Sequence, residues 1–405
     1  MRLIYNFSIY LYSLAIHIAS LFNSKAKLWV TGRKKQVVQL KPTDRETIWF
    51  HCASLGEFEQ ARPLIEKYKT LYPDSKIVLT FFSPSGYEIR KNYAGADYIY
   101  YLPIDTPANA RKFIEAIKPV KVFFVKYEFW FNYLNELRRK KIPTYLVSGI
   151  FRQDHYFFKS HGNWFAKQLK CFTHFYLQDE LSSDLLKLKG FTNITITGDT
   201  RFDRVNDIAK NVKQNELVSK FVGNKMTLVC GSTWREDEQL ISASKVDFSN
   251  FKIIIAPHEI DEAHILSVME QFSKLKTIRY SQANNENINS ADVLIIDNIG
   301  ILSSLYQYGQ IGYIGGGFGK GIHNILEAAT FGLPVIFGIN YHKFNEAKEL
   351  IHLGGAFSVT DSTGFEKTMQ LLDDKMVLQT ASHIAKYYVQ SRTGATDKIL
   401  NSLNK

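Results

Sequence analysis

The sequence predicts an α/β protein with two doubly wound parallel sheets and a helical membrane anchor at its N-terminus. Three observations lead to this prediction. From residue 45 onward, short β-rich apolar runs alternate with longer segments of helical period. A polar stretch near residues 205–225 divides this alternation into two halves of similar size. Residues 3–22 contain no Asp, Glu, Lys or Arg.

The N-terminal segment "LIYNFSIYLYSLAIHIASLF" is long enough to cross a hydrocarbon core, but polar and aromatic residues dilute it. A spanning helix and a helix lying in the interface both fit this composition. A cleaved signal peptide fits poorly, because the positive charge follows the apolar run and no A-x-A site is present; a buried helix is a further alternative. We expect an anchor over residues 1–24 and a cytoplasmic body, since the basic flank is Lys25, Lys27, Arg33, Lys34 and Lys35.

The alternating runs predict the strands and the domain boundaries. The first half contains "TIWFHCA", "KIVLTFF", "DYIYYLP", "VKVFFVKY", "TYLVSG", "HFYLQ" and "NITITG"; the second contains "MTLVCGS", "FKIIIAPH", "DVLIID", "QIGYIGG", "LPVIFG" and "GAFSV". Segments such as "EFEQARPLIEKYKTLY" supply the crossover helices of a parallel sheet. We predict domains at 25–210 and 211–405, with a last helix able to pack back on the first domain.

Composition limits the classes of function. The chain has 405 residues, of which 45% are hydrophobic and 22% charged, as in ordinary globular proteins. Its three cysteines, Cys52, Cys171 and Cys230, lie far apart and support neither a disulfide framework nor a zinc site. The net charge of +11 calls for an anionic partner: nucleic acid, a membrane surface or a phosphorylated substrate. No basic-aromatic motif supports nucleic acid.

Ligands of such sheets bind beyond the carboxyl ends of the strands, and two domains form a cleft there. In the first half, Glu57 follows a strand within "SLGEFEQARPLI". It is either a carboxylate favoured by the helix dipole or a general base facing the cleft. Glu128 closes another strand, as a solvent-facing cap or as a site residue. Asp199, Arg201 and Asp203 follow a third strand, where salt-bridged linker residues are the alternative.

In the second half, small and polar residues follow the strands in the same way. They are Gly231, Ser232 and Thr233 in "LVCGSTWREDE", Pro257, His258 and Glu259 in "IIIAPHEIDEAH", and Asp297, Ile299 and Gly300 in "DVLIIDNIGILSSLY". We expect a hydroxyl-bearing anion loop at Gly231–Thr233 and a helix that Ile299 and Gly300 open. The spacing of His258, His264 and the neighbouring glutamates matches no metal-ligand pattern, so we expect no metal.

The segment "YIGGGFGKGIHNILEAA" carries five glycines, at 315, 316, 317, 319 and 321, and a helix start with His323, Asn324 and Glu327. Glycines allow backbone amides to approach a phosphate, and Glu327 can accept the hydroxyls of a ribose, as a nucleotide-sugar would require. A tight turn is the alternative. The dinucleotide fingerprint is excluded because the glycines come late in the domain, and the Walker pattern because neither Ser nor Thr follows Lys320.

A late glycine-rich turn with Glu in the second domain resembles the GT-B glycosyltransferases. More narrowly, "HCASLGEFEQARPLI", "YEFWFN", "TGDTRFDRV", "CGSTWREDE", "DNIGILSSLY" and "IGGGFGKGIHNILEAATFGLPVIFGINYHKFNEA" resemble, in order and spacing, the motifs of the 3-deoxy-D-manno-octulosonic acid (Kdo) transferases of lipopolysaccharide biosynthesis. The resemblance implies transfer of Kdo from CMP-Kdo to a lipid A precursor, lipid IVA, at the cytoplasmic face of the inner membrane. It implies an inverting reaction without metal or other cofactor.

The resemblance also implies roles for residues: Glu57 as the general base, with Glu128 and Arg201 supporting the transition state. Donor contacts are expected at Ser232, Thr233, Pro257, His258, Ile299, Gly300, Ile301, Gly316, Gly317, Asn324, Ile325, Leu326 and Glu327, and acceptor contacts at Ser54 and Gly56. The chain departs from the family where Lys126 replaces an acid, where Arg201 replaces a common Lys, and where no Arg stands between Pro257 and His258. Lys320 is a possible substitute for that missing cation.

Two other functions remain open at this stage. One is a GT-B transferase or epimerase that uses a UDP-sugar. The other is a membrane-tethered protein that binds a nucleotide or lipid without catalysis. Replacing Glu57 separates catalysis from binding, because a binding module keeps its ligand response without that carboxylate.

Overall fold

The computed structural model describes residues 1–37, 46–160 and 162–403. The chain divides into two compact units, Met1–Arg204 with Thr393–Lys405, and Val205–Arg392. Each unit is built on its own seven-stranded sheet.

The first unit contains a parallel sheet with the strand order β3-β2-β1-β4-β5-β6-β7. Its strands are β1 (Thr47–Cys52), β2 (Lys76–Phe81), β3 (Tyr98–Tyr101), β4 (Pro119–Val125), β5 (Thr144–Gly149), β6 (His174–Leu177) and β7 (Ile194–Ile196). Its helices are α1 (Arg2–Ala19), α2 (Ser24–Val37), α3 (Leu55–Leu71), α4 (Pro84–Arg90), α5 (Pro107–Ile117), α6 (Phe131–Arg139), α7 (Asn163–Leu169), α8 (Glu180–Lys187) and α9 (Thr200–Lys210), which runs into the second unit; a 3₁₀ turn covers Tyr156–Phe158.

Burial on both faces explains why these strands are nearly continuous apolar runs. All six residues of β1 are buried. Trp49 packs into the core cluster on one face, whereas Ile48 and Phe50 pack into the cluster on the other. Strand β1 pairs with β2 on one side and β4 on the other, so it lies at the centre of the sheet.

Helix α1 is held against the first unit through its polar side chains. The Asp105 carboxylate accepts hydrogen bonds from the Tyr5 hydroxyl and from the backbone N–H groups of Asn132 (3.0 Å) and Tyr133 (3.0 Å) at the start of α6. The Asn132 side chain donates to Asn6 at 2.9 Å. These contacts turn an apolar stripe of α1 outward, and its exposed members are Leu3, Ile4, Phe7, Tyr10, Leu11, Leu14 and Ile18.

The predicted membrane anchor can be compared with the length and hydropathy of the N-terminal helices. Among the helices of the described ranges, none alone combines the length and hydropathy of a membrane span. Arg2–Ala19 and Ser24–Lys34 reach that composition only as a pair, and the pair is bent by 118°. The predicted anchor over residues 1–24 therefore corresponds to α1 and the bend that follows it, with Lys25, Lys27, Arg33 and Lys34 in α2.

The second unit repeats the winding with the strand order β10-β11-β9-β8-β12-β13-β14. Its strands are β8 (Met226–Thr233), β9 (Phe251–Pro257), β10 (Thr277–Arg279), β11 (Val293–Ile295), β12 (Ile311–Ile314), β13 (Val335–Phe337) and β14 (Ala356–Ser358). Its helices are α10 (Glu216–Val222), α11 (Arg235–Ser242), α12 (Glu262–Gln271), α13 (Leu302–Leu305), α14 (Leu326–Ala329), α15 (Asn345–Leu353), α16 (Ser362–Asp373) and α17 (Lys375–Gln390); 3₁₀ turns cover Tyr280–Gln282, Ile288–Ser290 and Tyr306–Tyr308.

The last helix, α18 (Ala395–Leu403), belongs to the first unit. The Asp203 carboxylate accepts from the backbone N–H groups of Gly394 (2.5 Å) and Thr396 (2.7 Å) at the start of α18. The Tyr176 hydroxyl is 2.6 Å from that of Ser402. The second unit thus ends near residue 392 rather than at 405, and it begins at Val205 rather than at residue 211.

The predicted doubly wound architecture is confirmed, and a strand occupies each predicted apolar run. Strand β10 was not predicted, because "TIR" is three residues of intermediate burial without an apolar run. Two predicted helix starts are wrong. Ile299 and Gly300 precede α13 rather than open it, and α14 covers only Leu326–Ala329, so His323 and Asn324 lie in the preceding loop.

Replacing Asp105 with Asn should change how stability depends on pH. Burial raises the pKa of Asp105 from 3.8 to about 6, although its hydrogen bonds act in the opposite direction. Between these values the folded protein holds a proton that the unfolded chain releases. The contribution of Asp105 to the free energy of unfolding therefore falls as the pH rises through this window, by about 1.4 kcal/mol per pH unit.

We expect the melting temperature of wild type minus that of Asp105→Asn to fall from about pH 4 to about pH 6 and to stay constant above that. Thermal unfolding followed by circular dichroism measures this difference. The exposed Asp74→Asn is the matched control. A difference that is independent of pH would show that Asp105 does not titrate in this window.

Candidate active site

Each sheet has a switch point at which the loops after two neighbouring strands lead to opposite sides, between β1 and β4 in the first unit and between β8 and β12 in the second. At such a point the loops after the two strands run in opposite directions and leave a crevice at the carboxyl edge of the sheet. In the first unit, Glu57 lies in the first turn of α3 after β1, and Glu128 lies in the β4–α6 loop. In the second unit, Ser232 lies near the end of β8, and the glycine-rich segment lies in the β12–α14 loop.

Glu57 is the third residue of α3 and forms a capping box with Ser54. Its Oε2 atom accepts from the Ser54 backbone N–H at 3.0 Å and from the Ser54 hydroxyl. Within the described residues, Oε1 has no hydrogen-bond partner, and the side chain is only partly buried. The carboxylate therefore caps the helix, as the dipole interpretation predicts, and it also keeps one oxygen that can accept a proton. Gly56 is exposed in the first turn of the same helix.

Glu128 lies three residues beyond the end of β4 and is held by two ring nitrogens. Its Oε2 is 3.1 Å from Nε2 of His51 and accepts from the Trp130 indole N–H. On the other side of the His51 ring, Nδ1 is 2.8 Å from the Thr80 hydroxyl. The Trp130 indole N–H also lies 2.9 Å from His51 Nε2, so His51, Trp130 and Glu128 form one hydrogen-bonded cluster. The Glu128 side chain keeps 12% exposure, so the second switch-point carboxylate is oriented but accessible.

Arg201 forms a fork with Asp199 at the end of β7. The guanidinium donates to Asp199 Oδ2 through Nε at 2.8 Å and through Nη2 at 2.8 Å. Asp199 is almost fully buried and Arg201 is 25% exposed. The salt-bridged alternative therefore holds for this pair, and the Asp199 contact orients the exposed edge of the guanidinium.

The pKa of the Tyr127 hydroxyl is influenced by the charges of Glu57 and Arg201. Burial raises the pKa of Tyr127, Arg152 and Arg201 oppose the rise, and the charge of Glu57 adds to it. Two neighbouring strand ends are held in left-handed backbone, at Lys126 (φ 65°) and Ser148 (φ 51°). Non-glycine residues adopt this conformation at a cost of roughly 1–2 kcal/mol each, and such strain is concentrated at functional sites.

In the second unit, Ser232 and Thr233 lie within β8 rather than in a loop after it, with a register shift between Gly231 and Thr233. Ser232 has φ 53° and is partly exposed. Thr233 is buried, and its hydroxyl donates to Glu238 at 2.8 Å. Because this hydroxyl already bonds to Glu238, Thr233 can contact a donor substrate only through its backbone. Burial raises the pKa of Glu238, which also lies 3.1 Å from His264.

The first glycines of the glycine-rich loop serve close backbone packing. A Cβ atom at Gly315 would lie 2.2 Å from the Ser232 carbonyl oxygen, and one at Gly317 would lie 2.5 Å from the Gly338 nitrogen. The Gly316 N–H donates to the buried Asp237 at 2.9 Å. The predicted contact of this amide with a phosphate is therefore wrong, because the amide already has a partner. The tight-turn interpretation therefore applies to residues 315–317. Gly319 and Lys320 are exposed farther along the loop.

Asp237 ties both sides of the second switch point together. Besides Gly316, its carboxylate accepts from the Trp234 backbone N–H at 2.9 Å and the Tyr313 hydroxyl at 2.8 Å. Burial raises the pKa of Asp237, and these three donors oppose the rise.

Three rings from three loops stack beside this carboxylate. Trp234 lies over His258 with ring centroids 4.6 Å apart, and His258 lies over His323 at 4.6 Å. The Trp234 indole N–H donates to His323 Nε2 at 3.1 Å. Burial, and then the neighbouring His258, lower the pKa of His323 to about 4, so this imidazole is neutral near pH 7. The stack presents flat, uncharged surfaces that suit a nucleobase or sugar ring.

The other residues predicted to contact the donor substrate differ in burial and in hydrogen bonding. Asn324 donates to Glu327 at 3.0 Å and accepts from the Leu326 N–H at 3.2 Å. Ile325, Leu326 and Pro257 are buried and can offer only backbone. Ile299 is 87% exposed, and Gly300 has φ 100° in the loop that ends at Ile301.

Sequence reasoning missed His51, Trp234 and the ring stack. His51 sits inside an apolar run, and the stack joins residues that are distant in sequence. A Trp directly after the strand-end hydroxyls of "GSTW" was the available signal. In the described part of the chain, no group of three or more His, Cys, Asp or Glu side chains could hold a metal ion.

Replacing Trp234 with Phe should raise the pKa of His323 while preserving the stack. The indole N–H bonds only to neutral imidazole, so its loss removes an interaction that opposes protonation. We expect the His323 pKa to rise by about one pH unit. Histidine titration by NMR measures this change, with Trp164→Phe in the first unit as control. An unchanged His323 pKa would show that the indole contact does not hold the tautomer.

Comparison with known proteins identifies the relatives of this chain. The sequence model of the family described as "3-Deoxy-D-manno-octulosonic-acid transferase (kdotransferase)" matches residues 27–204. The 3-deoxy-D-manno-octulosonic acid transferase of Aquifex aeolicus is 29% identical over 78% of this chain and 83% of its own length. That of Haemophilus influenzae is 24% identical over 88% of this chain and 86% of its own length.

Among solved structures, the UDP-GlcNAc 2-epimerase of Neisseria meningitidis, bound to UDP-GlcNAc, superposes with a TM-score of 0.62 at 14% identity. It covers 88% of this chain and 99% of its own, and this likeness concerns the fold alone. The predicted GT-B fold, with two Rossmann-like sheets, is confirmed. The predicted resemblance is confirmed: the chain is similar to the Kdo transferases, by the family model at residues 27–204 and by relatives that match most of its length.

Proposed function

We propose that the protein transfers Kdo from CMP-Kdo to lipid IVA, a lipid A precursor, with inversion and without a metal or other cofactor. The observation that carries the proposal is the position of Glu57. In the domain that matches the Kdo transferase family, it stands at the switch point with one carboxylate oxygen fixed and the other without a partner among the described residues.

The chemistry requires a base and a stabilised leaving group. The pKa of an acceptor hydroxyl is far too high for it to attack as an alkoxide at neutral pH, so a positioned carboxylate must take the proton as attack proceeds. Oε1 of Glu57 is the atom available for this step. A single displacement opposite the leaving group inverts the anomeric centre and needs no second carboxylate as nucleophile.

The second unit supplies the donor side of the proposal. The neutral stack of Trp234, His258 and His323 suits the base or sugar of CMP-Kdo. Ser232 and the exposed Lys320 are the groups that we assign to the phosphate, because Thr233 and Gly316 have partners already. Positive charge near the breaking bond stabilises the CMP leaving group.

Surface properties support the acceptor and the location. The net charge of +11 favours an anionic, phosphorylated lipid. The outward apolar stripe of α1, with the basic residues of α2 behind it, suits attachment to an anionic membrane surface. We therefore propose that the enzyme works at the cytoplasmic face of the inner membrane.

Replacing Glu57 with Gln should abolish transfer without unfolding the protein. A Gln at this position keeps the capping box with Ser54, whereas it cannot accept the proton. We expect kcat to fall about 10²- to 10⁴-fold, with CMP binding and melting temperature unchanged. Glu57→Ala should lose activity and also up to about 1 kcal/mol of stability, because the cap is lost too.

The assay measures labelled Kdo transferred from CMP-Kdo, generated in situ, to lipid IVA, with and without a chelator. Product that is unaffected by the chelator supports a metal-free reaction, and the mass of the product counts the Kdo residues added. A wild-type protein that binds CMP but yields no product would contradict the acceptor. Failure to bind CMP would contradict the donor, and a UDP-sugar would then be tested.

Replacing Glu128 with Gln should lower kcat about 10- to 100-fold while leaving the fold intact. The amide oxygen of Gln still accepts from Trp130 or His51, so the fall in kcat measures the effect of removing the negative charge. Glu115→Gln, which removes an exposed carboxylate from α5, is the matched control. Equal kcat values for the two variants would contradict a role for Glu128 in the transition state.

A further inference from the structure

A pocket of about 670 Å³ opens on the first unit beside the candidate site. This volume lies within the range of small-molecule sites, roughly 300–1,000 Å³. Its walls come from the segment after β4, the segment after β5, and α7. The walls are aromatic: the Phe129 and Phe157 ring centroids are 4.7 Å apart, and Phe165 packs on Phe131 and Tyr156, each at 5.6 Å.

Two cations stand at the rim of the pocket. Arg152 donates to the Tyr127 hydroxyl at 3.4 Å and lies over its ring, and Lys159 lies over the ring of Tyr156. Both side chains are exposed, and within the described ranges neither forms an ion pair. The rim also carries Asp154 and His155. An apolar cavity with accessible positive charge at its entrance is complementary to an amphiphile with an anionic head group.

The pocket is continuous with two features already described. At one end is Tyr127, whose hydroxyl lies in the field of Glu57 and Arg201. At the other end is Phe131, against which Tyr5 of α1 packs at 4.9 Å. A molecule in the pocket would therefore contact Phe131, against which α1 packs, and Tyr127, the chain neighbour of Glu128.

We propose that this pocket binds an acyl chain of the phosphorylated glycolipid acceptor, with Arg152 and Lys159 holding a phosphate of its head group. The inference rests on the proposed function, and it names the part of the chain that selects an acylated acceptor. Tyr156, Phe129 and Phe165 contact the chain, and the acceptor hydroxyl is carried toward Glu57.

The test uses the full-length protein in detergent micelles and separates the phosphate from the acyl contacts. Arg152→Gln/Lys159→Gln should raise KM for lipid IVA about tenfold with little change in kcat, and the increase should vanish with the dephosphorylated lipid. Tyr156→Ser, at a side chain that is 62% exposed, should raise KM about fivefold for lipid IVA, but not for its deacylated form. The controls are Arg111→Gln/Lys112→Gln on α5 and Tyr387→Ser on α17, all at exposed positions.

Direct binding keeps this inference separate from the proposed function. Labelled lipid IVA is titrated into Glu57→Gln protein with and without the pocket substitutions, so that no turnover is needed. Weaker binding in the pocket variants supports the pocket even if wild type transfers no Kdo. Normal Kdo transfer with unchanged KM and binding in both variants overturns the pocket and leaves the function standing. Displacement of lipid IVA by equimolar phosphatidylglycerol would overturn the acceptor as the occupant.

Discussion

The reversal of strand winding beside a largely buried central strand is the constraint on which both units depend. Strands β1 and β8 each pair with a strand on both sides, and most of their side chains are buried and committed to packing. Chemistry is therefore concentrated at the carboxyl edge, in the strand ends and in the loops and first helical turns that follow them, and the crevice opens where successive loops run apart. In the first unit this places Glu57 and Glu128 on opposite sides of one opening, although 71 positions separate them in the chain.

Each opening is bridged by one buried polar side chain. In the first unit, His51 reaches from β1 to Glu128 beyond β4. In the second unit, Asp237 at the start of α11 binds the backbone of Gly316 and the hydroxyl of Tyr313. Such groups are costly to bury and persist because they are hydrogen-bonded, with bonds to charged groups worth about 1.5–3 kcal/mol each. The bridges hold the two loops at a fixed separation, so the site residues are oriented before any ligand arrives.

The sequence was informative where function follows a local pattern. Apolar runs located the strands, and the rule that ligands bind after strands led to Glu57, Glu128 and Arg201. It was uninformative where function depends on tertiary contacts. Trp234, His258 and His323 meet only because three loops converge, and no spacing encodes that. Gly316 looked like a phosphate contact by residue type, yet its amide is taken by Asp237. A glycine run signals close backbone approach without saying whether a ligand or the protein itself approaches.

For the N-terminal helix too, composition predicts less than the tertiary contacts show. Residues 3–22 are apolar nearly all round, so their composition could not decide between spanning a bilayer and lying on it. The Tyr5–Asp105 and Asn6–Asn132 contacts distinguish the faces of α1, because they commit one face to the first unit and leave the other exposed. A helix held in this way can enter a membrane only by its outward stripe unless those buried hydrogen bonds break. Through Tyr5, the packed face of α1 also contacts Phe131, which lines the aromatic pocket. The helix, the pocket and the segment that carries Glu128 therefore belong to one region of the first unit.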